Sequence, residues 1–223
     1  FNKLVLSGVE IIEIGFLDDR VPFDINRTIQ PNTKCFDKIF CNVDKKNAFV
    51  VAMIDYGTCS IENIEKEEDS FIDGIRIIFK KPKMEEAINF AQQVMQKGYK
   101  VSLQMVSITD YKDYDILDFS KKVNKISPFA VSIVDTYGLM HKEEVLDYVY
   151  LLNRNLDKNI SIAYHSHNNF QLAYSNCVEL IKRNIDRNII VDGTIYGMGK
   201  SAGNAPIELL MMHLNEKYNC RYD

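Results

Sequence analysis

Short apolar runs of β type recur along this chain at nearly constant intervals, beginning at Ala48, Gly74, Lys100, Ala130, Asn159 and Asn188, which is every 26 to 30 residues. Helical patterns fill the gaps. Such alternation marks βαβ units packed around a parallel sheet. An open dinucleotide-type sheet must reverse its strand order at a crevice, whereas a steady beat suits a closed barrel, so the expected class is an α/β fold of TIM (β/α)₈ barrel type. With Val9–Phe16 the runs number seven: Val9–Phe16, Ala48–Ile54, Gly74–Phe79, Lys100–Met105, Ala130–Val134, Asn159–Tyr164 and Asn188–Val191. They read as strands 2 to 8 of the barrel. Phe1–Gly8 resembles the last turns of a helix closed by glycine, so strand 1 is expected upstream of Phe1, with residues 1–223 forming a single N-terminally truncated barrel domain.

The helical segments carry conventional punctuation. Pro82 opens Met84–Lys97 and Gly98 closes it, while Ala87, Phe90, Ala91 and Val94 recur at helical spacing and predict one face packed on a sheet. Further helices are predicted at Asp115–Lys125, Lys142–Asn155, Phe170–Asn184 and Ala205–Tyr218. Leu17–Asp37 reads as a long irregular loop, of the kind that often carries function, with Arg20 and Arg27 available to an anion if they are not simply solvated.

Composition narrows the function classes. A formal net charge of -4 offers no basic footprint for a nucleic acid, and the absence of an 18-residue apolar run argues against a membrane span. Cys35, Cys41, Cys59, Cys177 and Cys220 are odd in number and never spaced as Cys-x-x-Cys. Reduced thiols in a cytoplasmic protein is the plain expectation.

Polar residues then gather where barrel chemistry belongs, at the C-terminal strand ends. Asp55, Gln104, Ser107, Asp135, Thr136, His165, His167, Asp192 and Thr194 all fall there, and the glycine-rich run from Gly197 to Asn204 follows the last strand. In an extended strand His165 and His167 leave one face together while Ser166 leaves the other. Two adjacent imidazoles are half of a metal site, or simply two packed histidines. Oxygen donors such as Asn204 would complete a site for Mn²⁺ or Mg²⁺, whereas a third nitrogen or sulfur would favour zinc.

Other candidates carry weaker signals. Glu13 and Arg76 each interrupt an apolar strand, and buried charges require partners, so they either pair structurally or reach the substrate layer. Gly199-Lys200-Ser201 is not a phosphate loop, because Thr194 stands where the first glycine of that motif is required. His141 and His213 lie in helical surroundings and read as surface or packing residues.

The run His165-Ser166-His167-Asn168-Asn169-Phe170-Gln171-Leu172-Ala173, with Val191-Asp192-Gly193-Thr194, Gly197-Met198-Gly199-x-x-Ala202-Gly203-Asn204-Ala205-Pro206-x-Glu208 and Val134-Asp135-Thr136-x-Gly138, resembles the 3-hydroxy-3-methylglutaryl-CoA-lyase-like metallolyase superfamily. Within it these residues most resemble the 4-hydroxy-2-oxovalerate aldolases. The resemblance implies a divalent cation at the barrel mouth, held by His165, His167 and an aspartate of strand 1, with Asn204 as a further metal or substrate residue. It also implies substrate-side roles for Arg76, Asp135 and Thr136. The implied reaction makes or breaks a carbon–carbon bond of a small 4-hydroxy-2-oxo acid, with the metal as Lewis acid on the 2-oxo acid and a pyruvate enolate intermediate. A dehydrogenase partner or self-association is a further implication. No strand-1 Arg-Asp-Gly motif occurs in the chain, so the catalytic base is not assigned and weak metal affinity is expected for these residues alone. A Claisen-type acyl-CoA synthase and an inactive barrel-derived binding module are the alternatives.

Overall fold

The computed structural model describes residues 1–183 and 185–223. Its elements are α1 (Asn2–Leu6), β1 (Ile11–Leu17), β2 (Ile29–Gln30), α2 (Thr33–Phe40), β3 (Phe49–Asp55), β4 (Gly74–Phe79), α3 (Met84–Gln96), β5 (Lys100–Met105), α4 (Asp113–Asn124), β6 (Ala130–Asp135), α5 (Lys142–Asn155), β7 (Ser161–Ser166), α6 (Ala173–Ile181), β8 (Ile189–Val191) and α7 (Ile207–Tyr218). The strands belong to one sheet in the order β2-β1-β3-β4-β5-β6-β7-β8, the α/β arrangement that the spacing predicts. The chain divides into two compact units, Phe1–Leu103 with Tyr222–Asp223, and Gln104–Arg221.

In the first unit β1 pairs with β3, and β3 with β4, all parallel. The register places Glu13 beside Val51 and Met53 beside Arg76, and Arg76 Nη1 lies 2.7 Å from Glu13 Oε2. The two charges that interrupt apolar strands therefore neutralise one another on one face of the sheet. On the other face of β4, Ile75, Ile77 and Phe79 are buried, and α3 contributes Ala87, Ala91 and Val94 of its predicted face as buried residues, with Phe90 half-buried.

The segment expected to be an irregular loop holds two elements. Gly15 has φ +143°, and any Cβ there would collide with the Thr28 carbonyl, so glycine is what lets residues 28–30 come alongside β1. Phe16 N–H then donates to Thr28 O at 2.8 Å, and β2 becomes the eighth strand of the sheet. Asn32 caps α2 by accepting from Cys35 N–H, while Cys35 and Phe36 bury its inner face. Arg20 and Arg27 are occupied by Asp18 and Asp24, at 2.6 and 3.3 Å.

In the second unit β6, β7 and β8 pair in parallel, and α5 and α6 pack against them. Helix α6 begins at Ala173 rather than Phe170, because the Asn168 side chain accepts from Ala173 N–H and Gln171 takes a left-handed conformation. The expected end of that helix, Asn184, lies outside the described residues. Among the described residues no helix is long and apolar enough to cross a membrane.

Arg187 ties the floor of this unit together. Its guanidinium donates to Asn153 Oδ1 and to the carbonyls of Asn153, Leu156, Asp157 and Ile160, joining the C-terminal end of α5 to the entry of β7. Replacing Arg187 by methionine leaves those acceptors without a donor, and a loss of roughly 2–4 kcal/mol in urea-unfolding stability is expected. A loss below about 0.5 kcal/mol, the level of an ordinary surface substitution, would show the clamp to be ornamental.

Candidate metal centre

Strand β7 delivers the two histidines. The pairings Val134↔His165 and Ala163↔Ile190 put the His165 side chain on the same face as Val134, Ile190 and, one step further along β8, Asp192. The opposite face is fixed independently. Tyr164 accepts from Asn176 of α6, and the Ser166 hydroxyl lies 3.6 Å from Cys177 of the same helix. His165 and His167 therefore share the face away from α6, with ring centroids 5.2 Å apart.

Asp192 gives His165 a fixed orientation. Its Oδ2 lies 2.8 Å from His165 Nδ1, and a carboxylate can only accept, so Nδ1 carries the proton and Nε2 of the neutral ring keeps its lone pair. A histidine held by a carboxylate on one nitrogen is the usual setting for a metal ligand on the other. Burial, the neighbouring His165 and the positive charge of Lys200 all hold the His167 pKa below the ordinary imidazole value, favouring its neutral, ligating form.

Asn204 adjoins this pair through His167. It forms an isolated antiparallel bridge with His167, and Asn168 N–H donates to Gly203 O at 2.9 Å. Its Nδ2 donates to Met198 O at 3.3 Å, while its Oδ1 is buried without a hydrogen-bond partner. A buried amide oxygen left unpaired is costly unless something outside the chain completes it, and a cation is the natural complement. Gly199 makes the arrangement possible, since a Cβ at that position would lie 2.9 Å from Asn204 Cγ and closer still to Nδ2.

The residues present thus fit a divalent cation, with two imidazole nitrogens and one amide oxygen as donors. All three donors are neutral, and among the described residues no group of three or more His, Cys, Asp or Glu side chains is placed to hold a metal.

Asp135 and Thr136 adjoin the histidines as scaffold. Asp135 is 3% exposed, its carboxylate accepts from Leu139 and Met140 N–H, and its carbonyl accepts from His167 N–H at 3.3 Å. Burial raises its pKa, against the backbone donors that lower it. Thr136 Oγ1 accepts from Ser107 N–H at 2.7 Å, holding Ser107 in a left-handed conformation. Arg76 belongs to the first unit, where Glu13 neutralises it. His141 precedes α5 and packs on Phe170, and His213 packs on Tyr218, both apart from the pair. Sequence reasoning placed Asp192 at a strand end without giving it a role; its position one strand away from His165, at the matching level, is the signal that identifies it.

A parallel α/β sheet carrying an oriented His-x-His and an unpaired asparagine oxygen offers donors that suit a divalent cation. The chain belongs to the HMGL-like family, whose model matches residues 72–220, a family of divalent-metal-dependent lyases and aldolases. It is 29% identical over 172 residues to an oxaloacetate decarboxylase of Mycobacterium tuberculosis, covering 77% of this chain and 49% of that protein. It is 27% identical over 174 residues to a 4-hydroxy-2-oxovalerate aldolase of Marinomonas sp., covering 76% and 49%. The chain spans about half the length of these curated relatives. The structure of a Bacillus subtilis HMG-CoA lyase matches with a TM-score of 0.75 at 18% identity, covering 96% of this chain and 76% of that one, which shows a shared TIM-barrel fold.

The packing behind the histidines has a measurable consequence. Burial pushes the Cys177 and Cys59 thiols up to about 12, so both stay protonated in the folded protein at pH 8. The exposed Cys41 should be alkylated promptly in native protein, and Cys59 and Cys177 only after unfolding, as read by peptide mass spectrometry. Fast native labelling of Cys177 would mean that the α6 face of β7 is open.

Proposed function

We propose that this chain carries the histidine side of the active site of a carbon–carbon lyase acting on a small 2-oxo acid, specifically a divalent-metal-dependent aldolase for 4-hydroxy-2-oxo acids. The observation that carries the reading is that His165, oriented by Asp192, and His167 share one face of β7, with Asn204, whose Oδ1 is buried without a partner, bridged to His167. The names of the two curated relatives support it, since both act on 2-oxo acids or their aldol products.

His165, His167 and Asn204 would hold the cation, Mn²⁺ or Mg²⁺ by the oxygen-rich chemistry of such substrates. When bound, the cation supplies Lewis-acid polarisation of the 2-oxo group and neutralises the adjoining carboxylate. The chain's own residues do the rest of the positioning. Asp192 keeps the His165 proton on Nδ1, and Gly199 leaves room for the Asn204 amide. The Asp135 carbonyl sets the His167 backbone, while the Asp135 carboxylate holds the loop that follows β6 in place.

The test separates binding from turnover. In a Mn²⁺ titration of ¹⁵N-histidine-labelled protein, the imidazole signals of His165 and His167 should broaden before those of His141 and His213. Asp192→Asn should weaken the apparent affinity by about 10-fold or more, because the amide no longer enforces the ligating tautomer. Broadening of all four histidines together would remove the metal role. Metal-stimulated release of pyruvate from a 4-hydroxy-2-oxo acid, lost in His167→Ala, is the matching activity result.

A further inference from the structure

The turn after β6 carries a phenol that the proposed metal centre does not use. Tyr137 is 53% exposed and stands between two residues with fixed neighbours. Before it, Thr136 Oγ1 accepts from Ser107 N–H at 2.7 Å, which ties the turn after β5 to the turn after β6. After it, Gly138 has φ +64° and packs so closely on the histidine loop that a Cβ there would lie 2.7 Å from the His167 carbonyl oxygen. His167 N–H donates to Asp135 O and Phe170 N–H donates to Gly138 O, so backbone hydrogen bonds on both sides of Tyr137 join its turn to the loop that carries the histidines.

Ser107 is held beside this turn at a conformational cost. It is 8% exposed and takes φ 54° and ψ 50°, a left-handed conformation that glycine adopts freely and serine does not. What serine adds over glycine is a hydroxyl, and that hydroxyl donates to Tyr137 Oη at 3.3 Å. The consequence is a proton left over. With its oxygen accepting from Ser107, the phenol keeps its own O–H for another acceptor, and Tyr137 makes no other hydrogen bond among the described residues. A buried, strained serine steadies an exposed donor, the arrangement expected of a group held ready for an acceptor from outside the chain.

We propose that Tyr137 is a specificity residue that donates its phenolic proton to the 4-oxygen of the substrate, with Ser107 as the residue that positions it. This rests on the lyase reading given above, in which the carboxylate and the 2-oxo group meet the cation and the 4-oxygen lies further along the carbon chain. A neutral oxygen suits this donor better than a carboxylate. A carboxylate is best met by a charged or forked donor, whereas a single phenolic O–H matches a single hydroxyl or aldehyde oxygen. The 4-oxygen is a hydroxyl before the carbon–carbon bond breaks and an aldehyde carbonyl after it, and both accept, so one donor serves both states. The exposed ring offers apolar surface to the carbons beside that oxygen.

The experiment mixes the full chain with excess Mg²⁺ and a matched pair of probes, 4-hydroxy-2-oxopentanoate and 2-oxopentanoate, which differ only in the 4-hydroxyl, and follows binding by ligand-observed NMR. The wild-type protein should favour the 4-hydroxy acid by about 3-fold or more, the size of one partly solvated neutral hydrogen bond. Tyr137→Phe should abolish that preference while leaving the affinity for 2-oxopentanoate unchanged. Ser107→Gly removes the strain together with the hydroxyl, so it should shrink the preference without lowering the melting temperature, a combination that a mere loop tether would not produce. Persistence of the preference in Tyr137→Phe, an equal loss of both probes in that variant, or no preference in the wild type, including binding of neither probe, overturns the proposal. An unchanged preference in Ser107→Gly overturns the positioning role. Metal-dependent release of pyruvate from the 4-hydroxy acid is measured on the same samples. Release in the wild type without a preference upholds the lyase reading and removes Tyr137. A preference without release counts against the lyase reading and leaves Tyr137 as a binding residue.

Discussion

Parallel pairing in strict register is the constraint on which the second unit depends. Side chains alternate with a period of two, so the pairings Val134↔His165 and Tyr164↔Val191 decide in one step which residues share a face across three strands. A slip of one residue in β7 would turn both histidines toward α6 and bring Ser166 to the mouth. The structure guards against this slip from behind. Tyr164 is fully buried and bonded to Asn176, and Ser166 lies against the buried Cys177, so the back face of β7 is packed while the front face is left polar. The polar front of β7 is thus held in place by ordinary packing at its back.

The turn from Gly197 to Asn204 works by a different principle. The chain crowds the Asn204 side chain with backbone. Its N–H is used by Gly197 O and its Nδ2 by Met198 O, which leaves Oδ1 buried and unmatched. Leaving a polar atom unmatched costs on the order of 1–3 kcal/mol, so the geometry is stable only because several backbone bonds over-determine it. Glycine at 199 is a steric requirement of that turn, whereas Lys200 and Ser201, between it and Ala202, are exposed.

Much of the architecture was legible in the spacing of apolar runs. All seven expected strands are present, two with identical bounds, and Lys142–Asn155 is a helix over its exact predicted range. These elements are long and strongly periodic, so local pattern suffices. The loop Leu17–Asp37 was misread because β2 is only two residues long and exists through Gly15's close approach to Thr28, a tertiary event with no periodic signal. Asn32, a good cap ahead of Cys35 and Phe36, was the available clue to α2. The His165–His167 pair was legible because it lies within one strand. Asp192's role was not, because it depends on the register between β7 and β8, which a single sequence does not specify.

Charge pairing bears on how Arg76 is read. From the sequence, Arg76 is the stronger candidate for an anionic substrate, because a charge inside an apolar strand demands explanation while a lysine in a glycine-rich loop does not. The structure supplies the explanation for Arg76 in Glu13, which lies on the same sheet face and is 28% exposed at its side chain against 13% for the arginine. An arginine so paired would have to give up one carboxylate to bind another, a near-neutral exchange that offers little discrimination.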